Sequence, residues 1–276
     1  MQLPVDFAFS QNSLQDYADC PRRFELRYLK HLSWPAIEAE PVVEHERQMR
    51  VGSLFHKMVH QHMLGVPLTQ IGRMAGDPDL QMFWENYTRF LPGNLEGRRY
   101  PEITLSMALG EHALVAKYDL VVISPTGQAT ILDWKTGDRL PKLASLQRRI
   151  QTRVYRYVLL HAGAALNEGR PISADQITFA YWYAGFPEET FHIRYSDALA
   201  KEDETILEGL VAEIISRKED DFPLTEDVRK CRFCVYRSYC ERGETAGNLA
   251  SLGEEDELVE TAAIFFDFDQ IAEIEF

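Results

Sequence analysis

Two aspartates and a lysine stand out for the chemistry their spacing allows. In Ile131-Leu132-Asp133-Trp134-Lys135-Thr136-Gly137 an acid and a base flank a tryptophan at the end of an apolar run. If that run is a strand, its side chains alternate, so Asp133 and Lys135 share one face and Trp134 enters the core. Burying a carboxylate and an ammonium there is costly unless they are used. Upstream, Lys117-Tyr118-Asp119-Leu120-Val121-Val122 sets Asp119 in the preceding β-rich stretch, and a hairpin would bring it close to Asp133. Two carboxylates converging at a strand end form a hard, oxygen-rich site suited to Mg²⁺ or Mn²⁺. Such an ion polarises a phosphodiester and acidifies its water. Lys135 is placed to orient that water or to stabilise charge developing on the phosphate. An isolated Asp-x-Lys is also the pattern of a surface ion pair, so the surrounding pattern must decide.

The elements that would position these groups follow from periodicity. The spacing predicts helices over 13–30, interrupted at Pro21, and over 49–64 and 79–90. Ser13 is a candidate N-cap. Residues 102–109, 112–123 and 128–135 read as three strands separated by turn signals. A long helix over 143–166, strands over 176–183 and 190–195, and a helix over 197–217 opened by Asp197 complete the order. Helices, three strands, a helix, two strands and a helix imply an α/β core with a mixed sheet behind an N-terminal helical lobe.

Composition bounds the rest. The 276 residues are 45% hydrophobic and 26% charged, an ordinary globular balance. No apolar run approaches the roughly 18 residues that span a membrane, and the start lacks the basic and apolar regions of a secretory signal. The expectation is a soluble cytoplasmic protein with no membrane partner. In a reducing compartment its four cysteines are better read as metal ligands or buried thiols than as disulfides. The net charge is −14, which argues against an extended nucleic-acid surface. From Gly253 to Phe276 there are nine acidic residues and no basic one, so the rest of the chain carries −5. Any DNA groove must therefore be a local basic strip. Arg148, Arg149, Arg153 and Arg156 form the densest basic cluster, a candidate phosphate-tracking strip or else a solvated helix face. The tail after 252 is a candidate docking peptide, competitor for that strip or edge strand, or else a poorly ordered segment.

Cys231-x2-Cys234-x5-Cys240 is a compact trio, and Cys20 stands near the other end in Cys20-Pro21. Four thiolates select zinc or an iron–sulfur cluster, and spacing alone does not separate the two. Linking both ends would close a loop of more than two hundred residues, where a cross-link restricts the unfolded chain most in simple theory. His56 lies on the amphipathic 49–64 helix with His60 one turn on and His62 nearby. No Glu follows His56, so a His-Glu-x-x-His zinc site is excluded. On its own His56 reads as a core histidine.

Several of these motifs occur together in one order: Gly52-Ser53-Leu54-Phe55-His56, Glu102, Tyr118-Asp119, Asp133-Trp134-Lys135-Thr136-Gly137 and Gln151-Thr152-Arg153-Val154-Tyr155. In this the chain, from about Phe9 to Gly243, resembles the PD-(D/E)XK nuclease superfamily, most closely its RecB-type branch with AddB and the CRISPR-associated adaptation exonucleases. Where that family often has Gly before the first aspartate, Ala116-Lys117 stand here. The resemblance implies a restriction-endonuclease-like core with a central mixed sheet flanked by helices. It implies one nuclease domain over 1–252, with a helical lobe at 10–100, the catalytic sheet and helix at 101–196, and a helix and cluster segment at 197–243. It implies metal ligation by His56, Asp119, Asp133 and the Trp134 carbonyl, with Lys135 as the catalytic lysine. Gln151 and Tyr155 would line the site and contact DNA, and Glu102 would support a ligand or cap a strand. It implies a structural [4Fe-4S] cluster on Cys20, Cys231, Cys234 and Cys240 in place of the Zn²⁺ alternative. The expected activity is metal-dependent hydrolysis of DNA, from single-stranded or free ends, in repair, recombination or CRISPR adaptation. No Walker-type loop is present, so any helicase would be a separate partner. Two rivals stand beside this reading: an idle DNA-binding scaffold subunit of a helicase–nuclease complex, and a redox iron–sulfur protein.

Overall fold

The structure, a computed structural model, describes residues 3–4, 6–32, 40–92, 94–137, 139–218, 221–232 and 234–243. The acidic segment after 252 lies outside the described residues. The order is β1 (Ala8–Ser10), α1 (Gln11–Asp19), α2 (Pro21–Phe24), a π-helical turn (Glu25–Leu29), α3 (Glu40–Met63), α4 (Leu68–Ile71), α5 (Pro78–Phe90), β2 (Arg98–Leu109), β3 (His112–Ile123), β4 (Ala129–Lys135), α6 (Leu143–Arg148), α7 (Ile150–Ala162), β5 (Ile177–Tyr183), β6 (Thr190–Arg194) and α8 (Asp197–Ser216).

The chain forms two compact units. The larger holds Pro4–Gln11 and Arg50–Glu213, and with them the whole sheet. Strand order is β1-β3-β4-β5-β6, with β2 also on β3. β2, β3 and β4 form an antiparallel meander, β4 and β5 are parallel, and β6 returns antiparallel to β5. The parallel β4–β5 pair requires a crossover, which α6 and α7 supply. β1, a three-residue strand parallel to β3, gave no sequence signal.

Alternation assigns each face its layer. Leu120, Val122, Leu132, Trp134, Ala180 and Trp182 share one apolar cluster with Val51, Phe55, Met58 and Val59 of α3 and with Leu80, Phe83, Trp84 and Tyr87 of α5. Asp77 caps α5, accepting from the amides of Asp79 and Leu80, and Pro78 occupies its first turn. On the other face Tyr155 of α7 stacks on Phe179, and Thr152 bonds the Tyr181 hydroxyl at 2.8 Å. The Tyr118 hydroxyl donates to the Tyr155 carbonyl of α7 at 2.8 Å.

The predicted helix over 143–166 is three pieces. Arg149 takes φ −58° and ψ 138°, ending α6 and starting α7, and Gly163–Leu166 tightens into a 3-10 turn. No Pro or Gly marks the break at Arg149. It is bridged by a local bond across the junction, Thr152 Oγ1 donating to the Leu146 carbonyl at 2.6 Å.

The second unit gathers the described residues of Asn12–Met49 and those from Ile214 onward. Here Phe222 meets Tyr17 and Phe24, the Arg22 amide bonds the Pro223 carbonyl, and the Tyr236 hydroxyl bonds the Leu32 carbonyl. The early helices and the described segment after α8 are thus tied in one unit. Among the described residues no helix is long and apolar enough to cross a membrane.

Candidate metal and catalytic site

β3, β4, α3 and α7 bring the candidate residues together. β3 and β4 pair Leu120 with Leu132, which sets Asp119 and Asp133 one position further along the same hairpin. Asp119 Oδ2 accepts from the Trp134 amide at 2.8 Å, and its Oδ1 lies 3.1 Å from His56 Nδ1. α3 approaches closely enough to deliver His56 because Gly52 has no side chain. A Cβ there would stand 3.0 Å from Thr136 Oγ1, just past Lys135.

Asp133 is 2% exposed and doubly held. Its Oδ1 accepts from Gln151 Nε2 at 2.7 Å, and its Oδ2 lies 2.7 Å from Lys135 Nζ. Lys135 Nζ in turn donates to Gln151 Oε1 at 3.1 Å. Gln151 therefore clamps acid and base with one amide. Tyr155 is 4% exposed, with its hydroxyl beside Gln151 and Gln11. In this structure Gln151 and Tyr155 are buried groups that brace the site from α7. The Trp134 amide bonds Asp119 while its ring packs in the apolar cluster.

Glu102 is nearer than a supporting role requires. One donor atom each from His56, Glu102 and Asp119 all lie within 4.8 Å of one another. Among the described residues this is the one group of three or more such donors so close, and Asp133 is not part of it. Lys117 Nζ lies 3.5 Å from Glu102 Oε2.

Charges in the cluster shift one another. Burial pushes the Asp133 carboxyl up to about 6, and neighbouring Asp119 adds to this against the pull of Lys135. Partial burial would raise Asp119 too, yet the His56 charge and hydrogen bond, with Lys135, hold it below the usual carboxylate range. Burial alone would depress His56, but Asp119 outweighs it and the imidazolium is favoured. Burial and then Asp119 raise Glu102. One carboxylate kept ionised, one raised and one imidazole make a donor set that a divalent cation would neutralise.

The arginines divide differently from a strip. Arg153 and Arg156 are 6% and 1% exposed and converge on Asp203 of α8, itself fully buried. Arg153 Nη1 and Arg156 Nη2 each bond Asp203 Oδ1 at 2.7 Å, and Arg156 Nε bonds Oδ2 at 2.5 Å. The expected phosphate strip is corrected here: two of its four arginines are spent on a buried carboxylate. Asp203 lies about fifty residues downstream, and nothing local marks it as their partner. Arg149 is 8% exposed and its guanidinium lies over the Tyr181 ring, on which Lys135 Nζ also sits. Arg148 is the exposed member.

In the second unit Cys20, Cys231, Cys234 and Cys240 line one cavity, with Arg23, Lys230 and Arg237 among their neighbours. Burial, then the neighbouring thiols, raise Cys231 and push Cys240 up to about 11. Burial raises Cys234 against the pull of Arg23. Arg23 is held by Asp16 and Asp19, at 2.8 and 2.7 Å. Lys230 also pairs with Asp19, which links the first helix to the cysteine trio. This buried acid–base network escaped the sequence reading.

No curated protein matches the sequence. Among solved structures the chain is similar to a candidate exonuclease from Eubacterium rectale, 12% identical with a TM-score of 0.48, covering 75% of this chain and 79% of that one. It is also similar to the protein SSO0001, 11% identical with a TM-score of 0.39, covering 89% and 87%. Residues 8–241 match the profile of the PD-(D/E)XK nuclease superfamily. That span takes in the sheet, the helices on both its faces and all four cysteines, and the chain belongs to this nuclease superfamily with its restriction-endonuclease-like α/β fold.

Proposed function

We propose that this protein is a metal-dependent deoxyribonuclease of the RecB-like branch, acting at single-stranded or free ends. The observation that carries the reading is the convergence of His56, Asp119, Asp133 and Lys135 at one end of the β3–β4 hairpin. His56, Asp119 and Asp133 would hold the cation, with the Trp134 carbonyl as a further donor. When bound, Mg²⁺ or Mn²⁺ supplies charge neutralisation at the phosphate and a more acidic water. The Asp119 carboxylate is pinned by the Trp134 amide and His56, so it presents fixed charge. The Lys135 ammonium, held by Gln151 beside Asp133, is placed to stabilise negative charge on a phosphoryl oxygen. Arg149, over the same tyrosine ring, is the arginine we assign to a flanking phosphate.

We further propose a structural [4Fe-4S] cluster on Cys20, Cys231, Cys234 and Cys240. The four thiols line one cavity. Four thiolates suit zinc or an iron–sulfur cluster, and the resemblance to the cluster-bearing nucleases favours the latter. The cluster would staple both ends of the single domain read over residues 1–252. Repair, recombination or CRISPR adaptation, with a separate helicase, is the setting the resemblance suggests.

The test is cleavage of end-labelled single- and double-stranded DNA with Mn²⁺, comparing the wild type with Lys135→Ala. Loss of at least about a hundredfold in rate is expected, the scale of removing one charge-stabilising group. Equal absence of cleavage in both proteins, with DNA still bound, would instead support an idle scaffold subunit.

A further inference from the structure

Glu102 sits in mid-strand with a backbone that glutamate disfavours. Its φ is +50°, in the left-handed region. The strand needs no turn there: β2 pairs with β3 on both sides, Pro101 with Leu120 and Ile103 with Tyr118. Between these pairs Glu102 lies opposite Asp119. A strand residue is held in such a conformation only when the surrounding structure over-determines it, and ligand clamps are where this strain recurs.

The side chain ends where the strain would be useful. One Glu102 oxygen lies with a His56 nitrogen and an Asp119 oxygen inside a 4.8 Å group. Asp133, the other carboxylate of the site, is occupied by Lys135 and Gln151. Two carboxylates are thus brought together across the β2–β3 pair, with the His56 imidazole between them and Lys117 3.5 Å from Glu102.

We infer that Glu102 is a direct protein ligand of the divalent cation, joining His56 and Asp119, and that β2 is bent into the left-handed region to present it. This rests on the metal-dependent reading above and extends its ligand set. An imidazole nitrogen and two carboxylate oxygens leave open positions for water and substrate oxygens, as a catalytic rather than a closed structural site requires.

The experiment is direct Mn²⁺ binding to the full chain without DNA. Free Mn²⁺ is read by electron paramagnetic resonance and thermal stability is read with and without the ion. Glu102→Gln should bind Mn²⁺ at least about tenfold more weakly, while its metal-free Tm does not fall, because repulsion with Asp119 is removed and the backbone is unchanged. Glu102→Gly should show the same loss of affinity with a metal-free Tm equal to or above wild type, since glycine accepts positive φ. Asp119→Asn is the comparison. If it weakens Mn²⁺ binding while both Glu102 variants bind like wild type, Glu102 is not a ligand and this inference is overturned, with the metal site intact. If Asp119→Asn also binds like wild type, the metal reading itself fails.

Discussion

Replacing Asp203 by alanine should destabilise this protein more than almost any other single change to a charged residue. Asp203 is fully buried and receives three hydrogen bonds, of 2.5, 2.7 and 2.7 Å, from Arg153 and Arg156. Arg153 keeps a second partner, Glu202 at 2.8 Å, but that carboxylate is half exposed and screened. Arg156 is 1% exposed and retains the Tyr195 ring, 4.8 Å from its guanidinium carbon. The variant therefore leaves one guanidinium buried without a counter-charge and weakens a second. Breaking a buried ion pair from one side costs about 3–5 kcal/mol. In a chain of this size each kcal/mol shifts Tm by roughly 2–4 °C, so a fall of about 6–20 °C is expected. Differential scanning calorimetry of the metal-free protein measures it. Replacing Arg156 and Asp203 together by apolar residues of similar volume should recover much of the loss, because the stranded charge is gone. If Asp203→Ala shifts Tm by less than about 1 °C and tightens DNA binding at fixed salt, the two arginines are free for phosphates and the ion-cluster argument fails.

Three further outcomes follow from the site and the cysteines. Gln151→Leu removes the amide that holds both Asp133 and Lys135. It should cost roughly 1–3 kcal/mol, for an unsatisfied buried group, and lower the cleavage rate constant more than it raises KM, read by single-turnover kinetics. The pH response of the metal-free fold should be inverted relative to ordinary carboxylates. Asp133 has a folded pKa of about 6, above its unfolded value, so the native state binds more protons and stability should rise as pH falls from 7 towards 5. His56, also raised, adds in the same direction, its stabilisation being lost as pH rises through its folded pKa. Asp133→Asn should flatten most of this Tm slope, and an unchanged slope would remove Asp133 as its source. Cys20→Ala should abolish the brown iron–sulfur absorbance and lower Tm, and a full cluster retained in that variant would contradict the four-cysteine assignment.

The amino-acid sequence by itself determined most of the elements, though not β1 or the break at Arg149, and the chemistry-bearing residue types, because these are written in local patterns. Alternation over 112–123 and 128–135 located the hairpin and put Asp133 and Lys135 on one face. The apolar spacing of Val51, Phe55, Met58 and Val59 located the helix that carries His56. The cysteine spacing pointed to four thiols that could share a metal, and the structure lines one cavity with them. What tertiary structure alone decided are the pairings across distance. The same helix pattern that suggested a solvent-facing arginine strip is buried against α8, because Asp203 arrives from fifty residues away to receive it. Glutamate has no left-handed preference, so nothing in its neighbourhood foretold the positive φ that Glu102 adopts in mid-strand beside His56 and Asp119. Side-chain type and spacing are local properties, whereas which charge neutralises which is settled only when distant segments exclude water from the space between them.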